Sequence, residues 1–243
     1  MWTTYLISLL FFAAGVVLGG RFRIHKLSLS VSQFAAWILG LMVVFTVMML
    51  FTRLGWLPDW LSAIAIAQLY ALAGGFFLGV AGHMIRFKVD RGNVLYQHRG
   101  FLIDHLPHFL AIGLILFGLY RTSLLSDLPV TPIRLTSGLS LMMLGVAGFT
   151  LKPVPEFRSG AILFLDEEIP WKRVISWAWT EEEVLQIEYI RPAESGLPEI
   201  LHLQTTIPEQ DRKQVELILQ SKMDEFSAER NEELFPDESS DKA

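Results

Sequence analysis

Long uncharged runs fill the first three-fifths of the chain, and short alternating runs fill the rest. Trp2–Gly20, Ser32–Thr52 and Trp60–Gly82 contain no Asp, Glu, Lys or Arg. Ile133–Leu151 carries one charge, Arg134, at its start, and Leu106–Leu125 carries Arg121 near its end. A bilayer core of about 30 Å takes roughly 20 apolar residues in a helix, because backbone groups left unsatisfied in lipid are costly. The pattern therefore predicts five membrane-spanning helices, over residues 2–20, 32–52, 60–82, 106–125 and 133–151, with Arg121 snorkelling to the interface.

After Lys152-Pro153-Val154-Pro155 the period shortens from helix to strand. Ala161–Leu165 is a short apolar run, and Val174–Trp179 places Ile175, Trp177 and Trp179 on one face. Glu181–Glu183 reads as a charged turn, Leu185, Ile187 and Tyr189 alternate with Gln186 and Glu188, and a second turn spans Pro192 to Pro198. Leu201 and Leu203 then alternate with His202 and Gln204. Such alternation predicts antiparallel strands with one wet face. Thr206 and Glu209 have capping-box spacing, and Val215, Leu219, Lys222 and Phe226 fall on one stripe with Ile218, so an amphipathic helix follows. An α+β domain over 156–226 is expected, then a disordered acidic tail over 227–243. Ile85, Phe87 and Val89 also alternate with Arg86, Lys88 and Asp90 ahead of Asp90-Arg91-Gly92-Asn93 and Val94-Leu95-Tyr96, which predicts a basic β-hairpin over 85–96.

Charge divides the chain at the same place. Residues 1–150 hold ten Lys/Arg against four Asp/Glu, and residues 151–243 hold ten against twenty-one. Basic residues in successive loops alternate: Arg21, Arg23 and Lys26 in the first, Arg53 in the second, and Arg86, Lys88, Arg91 and Arg99 in the third. Arg121 and Arg134 flank the fourth, and Lys152 and Arg158 follow the fifth span. The positive-inside rule then places the N-terminus outside and the acidic domain in the cytoplasm, in a multi-pass inner-membrane protein. The start lacks the basic n-region of a cleavable signal peptide. There is no cysteine, which excludes disulfides, thiolate metal sites and cysteine catalysis.

Candidate chemistry is sparse. Ala63, Ala67, Ala71, Gly75 and Gly79 recur every four residues on the third span, a ridge without bulk that lets helices approach closely; Gly15 and Gly19 form a shorter one. Packing within the bundle is the expectation, with a dimer interface as the alternative. Gln68 is the only amide in that span, and no Asp, Glu or Lys falls at an expected bilayer midplane, which weighs against an ion-coupled transporter. His105 and His108 are three apart and next to Asp104. These three are the candidate metal site, although interfacial histidines are the simpler reading and no H-E-x-x-H spacing is present. No cofactor is expected. There is no Gly-rich phosphate loop and no nucleophile elbow, so an enzyme is the least supported class.

Ser159-Gly160-Ala161-Ile162-Leu163, Ile169-Pro170-Trp171 with Val174-Ile175, an alternating strand pair and a terminal helix together resemble bacterial PH-like domains tethered to membrane helices. The resemblance covers about 156–224 and implies a small antiparallel-sheet domain. The alternation marks four strands where a full PH-like barrel has seven, and the hairpin at 85–96 is the candidate source of two more. The family also implies lipid-headgroup binding, which the acidic balance opposes, as it opposes nucleic acid. Trp171, Trp177 and Trp179 are the candidate interaction surface; the alternative is that they fill the core. The expected fold class is thus a polytopic helical bundle plus a PH-like α+β domain. The expected role is a membrane-anchored scaffold or regulatory module contacting a protein partner or another copy of itself. A small-solute or lipid transporter or channel subunit is the alternative.

Overall fold

The structure is a computed structural model and describes residues 2–22, 39–40, 43–44, 46–47, 50–98, 101–125, 128–150, 154–164, 167–191 and 199–229. The chain divides into two compact units, one of residues 1–87 and 101–151, the other of residues 88–100 and 152–243. The second unit is therefore not contiguous, and the chain passes between the units three times.

The first unit is helical. Helix α1 spans Trp2–Arg21, α2 spans Asp59–Asp90, α3 spans Phe101–Arg121 and α4 spans Pro132–Thr150. The described positions between 39 and 53 are helical too. That segment ends in a Schellman motif: Gly55 takes φ +72°, its N–H donates to Thr52 O and the Trp56 N–H donates to Phe51 O. Helix α4 begins with Thr131 as cap, its hydroxyl accepting the Arg134 N–H at 3.3 Å, and with Pro132 at the first helical position, where no N–H is needed. Helices α1, α2 and α4 are long and apolar enough to cross a membrane, and α3 has a shorter apolar segment, His105–Arg121.

Helix α2 extends past the expected span end at Gly82, to Asp90. At 1.5 Å per residue it is about 48 Å long, against about 30 Å of hydrocarbon. The first arm of the hairpin expected at 85–96 is thus helix, and this is a correction. Ala81 and Met84 are buried at helical spacing, and extending an existing helix costs far less than nucleating a strand. The helix stops where Gly92 adopts φ +77°.

Among its described residues the second unit contains seven strands and a helix. Strand β1, Val94–Gln97, lies between α2 and α3 in sequence. It pairs antiparallel with β2, Glu156–Arg158, which pairs with β3, Ala161–Phe164, and that with β4, Glu167–Pro170. A 3-10 turn at Trp171–Arg173 leads to a second sheet of β5, Val174–Trp179, β6, Val184–Arg191, and β7, Glu199–Thr206, in that order. Helix α5, Arg212–Glu225, completes the unit. One core joins all parts: Tyr96 of β1, Phe157, Ile162, Ile169, Trp171, Val174, Leu185, Ile187, Tyr189 and Leu203 of the sheets, and Val215 and Leu219 of α5.

The capping box expected at Thr206 and Glu209 does not form. Thr206 is the last residue of β7, Pro208 follows, and a 3-10 turn at Glu209–Asp211 delays the helix to Arg212. Residues 227–229 are helical, and the rest of the expected acidic tail, 230–243, lies outside the described residues, as do the second turn at 192–198 and the first part of the second span, 32–38.

Candidate functional site

In the helical unit, small residues set the packing. A Cβ on Gly75 would strike the Phe12 carbonyl oxygen and one on Gly79 the Val16 carbonyl oxygen; one on Gly15 or Gly19 would strike the Leu72 or Phe76 carbonyl oxygen. Helices α1 and α2 therefore cross backbone to backbone through two glycine pairs. Ala67 and Ala71 of the same ridge are buried and Ala63 half-buried. Gly118 and Gly138 join α3 to α4 in the same way: a Cβ on Gly118 would lie 2.7 Å from Gly138 O, and one on Gly138 would lie 2.6 Å from Gly118 O. Gly74 opposes Ser140 of α4, whose Cα is 3.1 Å from the position of a Cβ there.

Two further features lie within this unit. Gln68 is 6% exposed, and neither its amide nitrogen nor its oxygen has a hydrogen-bond partner. A cavity of about 470 Å³ is lined by Phe22, Phe76, Phe77, Val80, Pro107 and Leu144 among other apolar side chains, within the size range of small-molecule sites.

The candidate metal residues are placed as follows. His105 is exposed, His108 is half-buried with its ring centroid 5.3 Å from that of Phe149, and the Asp104 side chain lies outside the described set. His105 and His108 line a second cavity with Phe109 and Ile112. Among the described residues no group of three His, Asp or Glu could hold a metal ion.

In the β unit the three tryptophans have distinct environments. Trp171 is fully buried, and its indole N–H donates to Arg158 O at 2.8 Å. As a member of an interaction surface it is corrected to a core residue. Its ring stacks on Phe157 with centroids 6.2 Å apart. Trp177 and Trp179 are partly buried against the core. The Trp179 indole N–H donates to Glu216 Oε1 at 2.8 Å, and the Arg212 guanidinium sits 4.6 Å above its ring, so this side chain clamps α5 to β5.

Sequence patterning did not disclose an ionic cluster at the root of this unit. Lys88 Nζ lies 3.0 Å from Glu156 Oε1, and Arg158 donates to Glu156 Oε2 from both Nε and Nη2. Arg158 Nη1 also donates to the carbonyls of Lys88, at 2.6 Å, and Gly92, at 2.9 Å, satisfying one backbone oxygen in the last turn of α2 and one just beyond it. Burial opposes ionisation of Glu156, but the hydrogen bonds from Arg158 and Lys88 outweigh it, and its carboxyl is held below the usual range. A second pairing joins the sheets: Glu167 of β4 accepts from Tyr189 of β6 at 3.0 Å and from Arg191. Burial first, and the Glu167 carboxylate second, push the Tyr189 phenol up to about 12. Arg91 pairs with Glu168 at 2.6 Å.

The wet face of the second sheet carries a polar ladder. Ser176 donates to Glu188 at 2.7 Å, His202 lies 3.5 Å from Glu188, and Gln186 contacts both His202 and Gln204 at 3.3 Å. These groups solvate one another along the face of the sheet. Comparison of the chain with protein-family models, with curated proteins and with solved structures finds no match in any of the three.

Proposed function

We propose that this protein is a membrane-anchored regulatory or scaffold protein that works through protein contacts of its β unit. The observation that carries the reading is the origin of β1. A strand drawn from the connection between α2 and α3 places Tyr96 in the core of the β unit, so that unit is stitched into the helical chain at three points. A unit tied in this way is suited to passing a binding event to the segments that precede and follow it. We read the helices as five spans, N-terminus outside, in the inner membrane of a bacterium, with the β unit in the cytoplasm. The strand order, four then three, followed by a helix, favours the PH-like reading of the fold.

Charge favours protein over lipid as the partner. Residues 151–226 hold eight Lys/Arg against fifteen Asp/Glu, which opposes docking on an anionic leaflet or on nucleic acid. Of the basic residues of the third loop, Lys88 and Arg91 are engaged by Glu156 and Glu168. The reading as a non-enzyme rests on the sequence, which has no Gly-rich phosphate loop, nucleophile elbow or cysteine.

The alternative, a lipid or small-solute transporter or channel subunit, draws on the apolar cavity and on the unpartnered amide of Gln68, since buried polar groups in spanning helices can mark a ligand path. Purification in mild detergent followed by mass spectrometry separates the two. A stoichiometric co-eluting protein, or a self-assembled oligomer, supports the leading reading. A single retained lipid or solute on a monomer supports the alternative.

A further inference from the structure

The four sheet edges of the β unit are not alike. Strand β1 has four residues and a register irregularity against β2. Strand β4 has four residues, two of them glutamates, and ends in Pro170. Strand β5 is irregular between Val174 and Ser176, and its Trp179 is held by Glu216 of α5. Shortness, charge, proline, bulges and covering helices are the means by which sheets keep their edges from pairing with other chains. Among the described residues strand β7 shows only one of these, a single terminal charge. It is eight residues long, pairs with β6 from Glu199 to Thr206 without a register shift, and contains no Lys, Arg or Pro. Its sole charge is Glu199 at the very end, and Ile200 is 58% exposed. Among the described residues its outer edge has no strand partner.

We propose that β7 pairs antiparallel with β7 of a second copy of this chain, about a two-fold axis at Leu203, joining two three-stranded sheets into one. This rests on the reading that the β unit works through protein contacts, and it names the surface and the partner. The sequence of the strand is self-complementary in that register. Leu203 faces Leu203, His202 faces Gln204, Leu201 faces Thr205 and Ile200 faces Thr206. Glu199 faces Ile207, so no like charges oppose each other anywhere along the seam. His202 and Gln204 are exposed on the wet face, and their pairing would continue the polar ladder that already runs from Ser176 and Glu188 across to His202. An isologous contact of this kind closes on itself and yields a dimer rather than a fibre.

The test is a charge swap in the full-length protein, solubilised in mild detergent, with the mass of the protein measured by light scattering over a dilution series. The wild type is expected to be a dimer. His202→Lys with Gln204→Lys sets Lys against Lys twice across the axis and is expected to weaken the dimer by roughly tenfold. His202→Lys with Gln204→Glu sets Lys against Glu twice and is expected to restore it, which a mere disturbance of folding would not do. A monomeric wild type, or a double-lysine variant that dimerises as the wild type does, overturns the proposal. If the wild type is monomeric while a different protein co-purifies stoichiometrically, the self-pairing fails and the broader reading stands. If neither is seen, both fail.

Discussion

The phenol of Tyr96 donates a hydrogen bond to Asp211 Oδ2 at 3.0 Å, across 115 residues of chain. One end of this contact lies in a strand between two long helices, and the other lies at the threshold of the last helix. Burial, then the hydrogen bond and charge of Asp211, push the phenol well above its ordinary range, so it remains a donor at any physiological pH. The contact also explains why Asp211 does not cap α5 with its side chain: its carboxylate accepts from Tyr96. Replacing Tyr96 with Phe should cost about 1 kcal/mol, because Asp211 is half-buried and water can replace the hydroxyl. Replacing it with Ala should cost about 3–5 kcal/mol, as for other large buried aromatics. Denaturation followed by tryptophan fluorescence of the β unit would show both.

The ionic cluster predicts a pH-dependent loss. Glu156 has a side chain only 4% exposed and faces both Lys88 and Arg158. Removing its charge by Glu156→Gln leaves two cations without their partner, and breaking a buried pair typically costs about 3–5 kcal/mol. The folded-state pKa is depressed, so the stabilisation is complete above the unfolded value of about 4.3 and disappears as pH falls through the lower folded value. The stability gap between wild type and variant should therefore be full at neutral pH and shrink below about pH 4. A gap that stays constant down to pH 2 would show that the effect is packing and not charge.

The glycine crossing predicts a position-specific loss in the helices. Gly75→Leu and Gly79→Leu each drive a side chain into the backbone of α1, and overpacking costs about 1–3 kcal/mol or more when backbone must move. Gly82→Leu is the control, because nothing lies within 4 Å of a Cβ placed there. Thermal unfolding in detergent should separate the first two variants from the third; equal melting of all three would place the ridge away from α1.

The five-span topology predicts reporter signals. Fusions after Leu57 and Leu128 should read outside, and a fusion after Leu197 should read inside. An outside signal at Leu197 would mean an even number of spans.

Much of this was legible in the sequence wherever the signal is local. The apolar runs marked α1, α2 and α4, and period-two alternation marked β5, β6 and β7, because each pattern is complete within its own element. The hairpin at 85–96 is legible as a source of strands for the sheet, and its second arm joins it as β1, but the strand it pairs with is not legible. Its partner β2 lies some sixty residues further on, beyond two helices, and no local period reports such a pairing. The alternation of Ile85, Phe87 and Val89 misled for a related reason: Ile85 and Val89 are exposed, and the buried register is that of Ala81 and Met84 on a continuing helix. The small-residue spacings of α2 and of Gly15 and Gly19 are both visible in the sequence, whereas the pairing of the two ridges emerges only when the helices are brought together. Trp171 looked like a neighbour of Trp177 and Trp179, but the 3-10 turn at 171–173 separates it from their strand and turns it inward.

Strand β1 is an integral strand of the β unit, and one comparison tests this directly. Amide exchange would be measured on residues 154–229 expressed alone, and on the same residues preceded by 88–98 through a short flexible linker. The first fragment is expected to exchange rapidly throughout β2, β3 and β6, because the space of Tyr96 is empty and Glu156 and Arg158 have lost Lys88 and the Lys88 and Gly92 carbonyls. The second fragment is expected to show cooperative protection of all seven strands. Equal, cooperative protection in the fragment that lacks 88–98 would contradict the integral role of β1.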